Sequence, residues 1–155
     1  MALTYFIAGA SRGIGFEFAK QLLASQNNVI AGCRKIESLR SLKSKYPENL
    51  LTLTLDVNSD SSIDSAYEDL KSRGIKNLKI DVFIQNAGVA DFGDKVFDVT
   101  RETAKHVLET NSISPLMVSR KFLDMFAKPA SNWCLLRLEW VRYLKTQVLP
   151  LFFTE

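Results

Sequence analysis

The chain has 155 residues, about one domain, and a domain of that size buries a sizeable core. Its 46% hydrophobic and 24% charged residues suit a soluble α/β protein and argue against disorder or a fibre. The net charge of +3 comes from alternating acids and bases, which argues against nucleic-acid binding, and no stretch is long enough to span a membrane. In chain order, the apolar run Leu3 to Ala8 predicts a first strand. Ile14 to Ala24 predicts a helix with Phe18, Leu22 and Leu23 on one face. Asn27-Asn28 supplies a turn before a short strand from Val29 to Gly32. A helix over Ile36 to Tyr46, ended by Pro47, leads to a third strand from Leu50 to Leu55. Asp60-Ser61-Ser62 marks the start of a helix with Ile63, Ala66, Tyr67 and Leu70 at helical spacing. Ile80 to Ile84 reads as a fourth strand, and Arg101 to Phe126 as helical with an interruption around Asn111 to Pro115. Strands alternating with helices imply a parallel sheet with helices on both faces.

The first strand feeds the segment Gly9-Ala10-Ser11-Arg12-Gly13-Ile14-Gly15. A strand, a glycine-rich turn and a helix in succession present backbone N–H groups to a phosphate. Gly9 allows the tight turn, Gly13 clears space where a pyrophosphate would approach, and Gly15 lets the helix pack closely on the sheet. The wide gap comes first (G-x-x-x-G-x-G), the reverse of the common dinucleotide fingerprint. The competing reading is a glycine turn with no ligand, and the strand-helix-strand context favours nucleotide binding. Cys33 and Cys134 stand far apart without metal or redox spacing, so no metal is expected and a reducing compartment fits. Without a basic leader or cleavage site the expected location is cytoplasmic.

Four sites in order make the chain resemble the short-chain dehydrogenase/reductase family, and most of all its small carbonyl-reductase-type members. They are the Gly9, Gly13, Gly15 loop with its S-R-G-I-G run, Asp56-Val57 after the third strand, Asn86-Ala87-Gly88 after the fourth, and Asn111 in the following helix. The resemblance implies a Rossmann-like, doubly wound parallel sheet of α/β class. Residues 1–127 would form an NAD(P)-binding domain, the N-terminal half of the family's fold, and residues 128–155 a divergent tail. It implies an oxidoreductase acting on a carbonyl or alcohol. The dinucleotide would be held by Gly9, Ser11, Arg12, Gly13, Ile14, Gly15, Arg34, Asp56, Val57, Asn86, Ala87 and Gly88. Ala8 departs from the threonine usual in the family before the first glycine.

The individual residues carry alternatives of their own. Asp56 stands where ligands gather at a strand's carboxyl end, and it reads either as an acceptor for an adenine amine or as a turn aspartate. Asn86 can tie backbone segments together, and Gly88 lets the chain pass close to a ribose. Pro115 cannot donate to the carbonyl of Asn111, so a kink is expected there whatever the function. Physics leaves Asn111 open between kink and catalysis, and the resemblance turns it toward the active site. His106 reads as a surface or interface residue.

The end of the second strand bears on cofactor choice. It carries Cys33-Arg34 with no carboxylate to accept a ribose hydroxyl, and Arg12 can approach the same region. Paired guanidiniums suit a 2′-phosphate, which favours NADP over NAD, the alternative being two solvated arginines.

The resemblance breaks at the chemistry. The family protonates its alkoxide with a tyrosine whose pKa is lowered by a lysine four residues on, while a serine orients the carbonyl. No Tyr-x-x-x-Lys follows Asn111 in this sequence, where Tyr143 is followed by Lys145 and position 147 is Gln147; the pair Tyr67 and Lys71 has that spacing but falls in the helix ahead of the fourth strand. Only Asn111 of the catalytic set carries over, so two functions stand. One is an NADP-dependent oxidoreductase. The other is a catalytically inactive cofactor-binding fragment that acts through a full-length relative or by homo-oligomerisation.

From Trp133 the sequence reads as out of register with the family, as after a frameshift or altered splice that truncates it. The tail reads as a helix along Leu136, Trp140, Leu144 and Val148, or as a strand alternating Leu136, Leu138 and Trp140. Without a fifth strand, the fourth would form an exposed edge, to be covered by the tail, paired with another chain or left to aggregate.

Overall fold

The computed structural model describes residues 2–73, 78–90, 99–127 and 133–135. Strand and helix alternate through β1 (Thr4–Ala8), α1 (Gly13–Ala24), β2 (Asn28–Cys33), α2 (Arg40–Lys45), β3 (Leu50–Thr54) and α3 (Asp60–Ser72). β4 (Val82–Gln85), α4 (Arg101–Leu108), α5 (Ser114–Lys121) and β5 (Trp133–Leu135) follow. The five strands form one parallel sheet in the order β3-β2-β1-β4-β5. With helices against both faces this is the Rossmann-like, doubly wound architecture.

The period of two along β1 explains why both faces are buried. Phe6 and Ala8 face one cluster with Ile63, Leu70, Phe83 and Phe122, which packs β1 and β4 under α3 and α5. Ile7 faces the opposite cluster with Ala19, Leu23, Leu39 and Leu42, under α1 and α2. The first cluster is centred on aromatic rings. Phe6 stacks on Phe83 at 4.7 Å between centroids and meets Phe122 edge-on at 4.8 Å. Along α3 the stripe Ile63, Ala66, Tyr67 and Leu70 is buried as its spacing predicts. On α1 the buried face is Gly15, Ala19, Leu22 and Leu23, while Phe18 is half-buried.

Several boundaries shift for local reasons. The cap of α3 is Ser59, one residue ahead of the expected start, because its side chain accepts the N–H of Ser62. The helix expected from Ile36 opens as a 3-10 turn, Ile36–Leu39, before α2. Ile80 lies outside β4. Its N–H donates to the Met125 carbonyl at 2.8 Å and its carbonyl accepts the Ala127 N–H at 2.9 Å. The interruption in the long helical stretch is a π turn, Glu109–Ile113, joining α4 to α5. Pro115 stands in the first turn of α5 with no N–H to offer the carbonyl of Asn111, so the ladder widens there.

Of the outcomes open to the β4 edge, the structure shows cover by the tail over three residues. β5 lies beyond residue 127, in the stretch read as a tail, and pairs Phe83 with Trp133, Ile84 with Cys134 and Gln85 with Leu135. The alternative helix or strand from Leu136 onward lies outside the described residues, as do Tyr143 and Lys145.

Candidate functional site

The carboxyl ends of β1 to β4 open into a cleft of about 510 Å³. Its floor is the glycine loop. Gly9 has φ +92°, and a Cβ there would lie 2.6 Å from the Ala87 nitrogen, so both conformation and space demand glycine. The N–H groups of Gly9 and Ala10 donate to the Gly32 carbonyl, tying the loop to β2. The loop is bonded to β4 as well. Asn86 Nδ2 donates to the Gly9 carbonyl at 2.7 Å, and the N–H groups of Asn86 and Ala87 donate to the Ala8 carbonyl. Asn86 is therefore the tie between backbone segments that its amide chemistry suggests.

Gly15 differs from the expectation in what it avoids. An added Cβ would lie 2.2 Å from the Gly9 carbonyl oxygen and 2.5 Å from Asn86 Nδ2. Its close neighbour is thus the loop itself and the Asn86 amide. Gly13 has φ +59°, and a Cβ there would meet nothing within 4 Å. That open space lies beside the start of α1, whose Arg12 cap makes no side-chain capping bond and whose first turn holds no acid. The helix dipole and its leading N–H groups are left for an anion in the cleft. Ser11, Arg12 and Ile14 line the same wall.

At the end of β2, Arg34 is exposed and lines the cleft along with Arg12. Among the described residues neither guanidinium forms an ion pair. Cys33 is buried beneath them, its thiol donating to the Lys35 carbonyl at 3.3 Å, and burial pushes its pKa up. Asp56 and Val57 follow β3. One carboxylate oxygen of Asp56, Oδ1, accepts the Asn58 N–H at 3.1 Å, while the Asp56 N–H donates to Ser62 Oγ at 2.9 Å. The aspartate is thus a turn former and a cleft residue at once. Val57 packs against the core below.

Ala87, Gly88 and Val89 close the side after β4. Asn111, on the π turn, is held by Val89 at both ends of its amide. Oδ1 accepts the Val89 N–H at 2.9 Å, and Nδ2 donates to the Val89 carbonyl at 2.7 Å. Its side chain therefore holds the strand-end loop in place.

Sequence reasoning missed Asn58, Val89, Thr110, Leu55 and Cys33 as cleft residues. His106, read as a surface or interface residue, is exposed and also lines the cleft. Cys33 and Leu55 reach the cleft from the ends of β2 and β3, whereas Thr110 and His106, which no motif marks, reach it through the packing of the π turn and α4. Among the described residues no group of ligating side chains could hold a metal, and no helix is long and apolar enough to cross a membrane.

The uncapped helix and the open glycine are the features that suit a nucleotide pyrophosphate. The family model described as short chain dehydrogenase matches residues 4–132. The chain belongs to the short-chain dehydrogenase family. It is 32% identical over 127 residues to an NADPH-dependent pterin aldehyde reductase of Arabidopsis thaliana, covering 80% of this chain and 51% of that protein. It is 34% identical over 131 residues to an NADP-dependent 3-hydroxy acid dehydrogenase of Schizosaccharomyces pombe, covering 79% and 48%. A solved short-chain dehydrogenase from Streptomyces avermitilis superposes with a TM-score of 0.70 at 27% identity, covering 80% of this chain and 44% of that one. The chain spans about half the length of the curated short-chain dehydrogenase relatives it matches.

Proposed function

We propose that the cleft binds NADP in preference to NAD, and that the activity it serves is oxidoreduction of a carbonyl or alcohol. The observation that carries this reading is the pair Arg12 and Arg34, unpaired beside a cleft whose β2 end offers no carboxylate. The NADPH- and NADP-dependence of two relatives supports it. The first turn of α1 and the Gly13 backbone would take the pyrophosphate, and the guanidiniums the 2′-phosphate. Asp56 and Val57 would meet the adenine, and Asn86, Ala87 and Gly88 would line the ribose side. Asn111 would keep its place in the active site by fixing Val89. Bound NADPH supplies a hydride for a carbonyl carbon.

A second reading rests on one observation: the one tyrosine with a lysine four positions later, Tyr67 with Lys71, lies on α3 with its hydroxyl bonded to Asp124 and does not line the cleft. By that reading the chain binds cofactor without turnover. Calorimetric titration with NADPH and NADH tests the first reading. Saturable binding that prefers NADPH is expected. Replacing Arg12 or Arg34 by Ala should weaken NADPH roughly tenfold each and NADH less than about twofold, because a charge-assisted bond contributes about 1.5–3 kcal/mol. Equal losses for both cofactors would overturn the phosphate assignment. A small aldehyde or diketone added with NADPH then separates the two readings by whether NADPH is consumed.

A further inference from the structure

The turn after β3 and the loop after β4 lie on different walls of the cleft, yet one chain of hydrogen bonds joins them. Asn58 Nδ2 donates to Thr110 Oγ1 at 2.8 Å, and Ser114 Oγ donates to Asn58 Oδ1 at 2.7 Å. Thr110 precedes Asn111 and Ser114 follows it by three, so Asn58 grips the π turn on both sides of Asn111. Both hydroxyl-bearing residues are buried. From the other side, Asn111 holds Val89 through two bonds at 2.9 and 2.7 Å. Asn58 in turn is set by Asp56, whose Oδ1 accepts its N–H.

A π turn is a weakly held element. It carries one residue more per turn than the α ladder, and here Pro115 withholds a backbone donor as well. Its position must then come from side chains, and the buried hydroxyls leave Asn58 as the bracket. We propose that Asn58 is a positioning residue: it fixes the π turn, so that Asn111 holds Val89 in the place that the half of the cofactor beyond the pyrophosphate requires. The assignment rests on the NADP reading for its consequence in binding and on the hydrogen bonds alone for its consequence in structure.

Two measurements on the full chain test it. In Asn58→Ala, NADPH affinity should fall roughly tenfold, the effect of losing two neutral hydrogen bonds. Adenosine 2′,5′-bisphosphate, which reaches only the adenine side, should lose less than about twofold. Equal losses for the two ligands would make Asn58 a direct wall of the adenine site and overturn the proposal. The second measurement is amide hydrogen exchange on the ligand-free chain. Exchange of the Val89 amide should accelerate at least roughly tenfold in Asn58→Ala, on the same two-bond reckoning. It should return toward the parent rate in Asn58→Asp, whose carboxylate accepts from both hydroxyls. An unchanged Val89 rate in Asn58→Ala, or acceleration spread evenly over β1 and β4, would also overturn it. If the parent chain binds no NADPH, the cofactor reading fails while the exchange arm still decides the role of Asn58.

Discussion

Gly15 and Gly13 stand two residues apart and answer to different forces. At Gly15 the conflict is steric, because a Cβ would fall 2.2 Å from the Gly9 oxygen. Neither partner can yield, since Gly9 and Asn86 are bonded to each other. Gly15→Ala should therefore cost roughly 3 kcal/mol or more, at the upper end of overpacking costs. At Gly13 there is open space, and only the left-handed φ of +59° resists a side chain. Gly13→Ala should cost about 1–2 kcal/mol. Urea denaturation of the two variants checks the contrast, and equal losses would refute the steric account of Gly15.

The docking of α5 on the sheet is a matter of whole elements, and apolar contact dominates it. Phe122 is fully buried against Phe6 and lies 5.7 Å from the Tyr67 ring of α3. Polar links run alongside: Tyr67 donates to Asp124 at 2.8 Å, and Lys121 pairs with Asp64 at 2.7 Å. The Asp64 side chain is 61% exposed, so water screens that pair. Phe122→Ala should thus cost about 3–5 kcal/mol, and Lys121→Ala under about 1 kcal/mol. Equilibrium unfolding of both variants tests the ranking. A loss at Lys121 matching that at Phe122 would mean that charge, not packing, seats α5.

Over the molecule as a whole, three acids hold their protons more tightly when folded. Burial raises the pKa of Cys33 and of Tyr5, the latter helped by Asp81, and the hydrogen bond to Asp124 raises that of Tyr67. The unfolded chain releases these protons first as pH rises. Stability from these groups is therefore complete below the ordinary thiol range of about 8.5, and it falls as pH climbs through that range and then the ordinary tyrosine range of about 10. A thermal melt at pH 7 should lie above one at pH 10, and Cys33→Ala should remove the part of the decline that begins near the thiol range. A Tm that is flat or rising over that interval would contradict the assignment.

The α/β class, the succession of strands and helices along the chain and the glycine loop were legible in the residues because apolar periodicity and glycine placement are local properties. A strand buried on both faces must be apolar on both, as Phe6 and Ile7 are, and a left-handed turn must find a glycine. Asn86 and Asp56 were legible for the same reason: each follows directly on a strand whose end is predictable. Asn58, Thr110 and Val89 were not, because 52 residues separate Asn58 from Thr110 and 22 separate Val89 from Asn111. Their roles arise from where α4 and the π turn land on the sheet. A wide turn that cannot hold itself by backbone bonds takes whatever side chains the packing brings within reach, and here these are the Asn58 amide on one wall of the cleft and the Val89 backbone on the other.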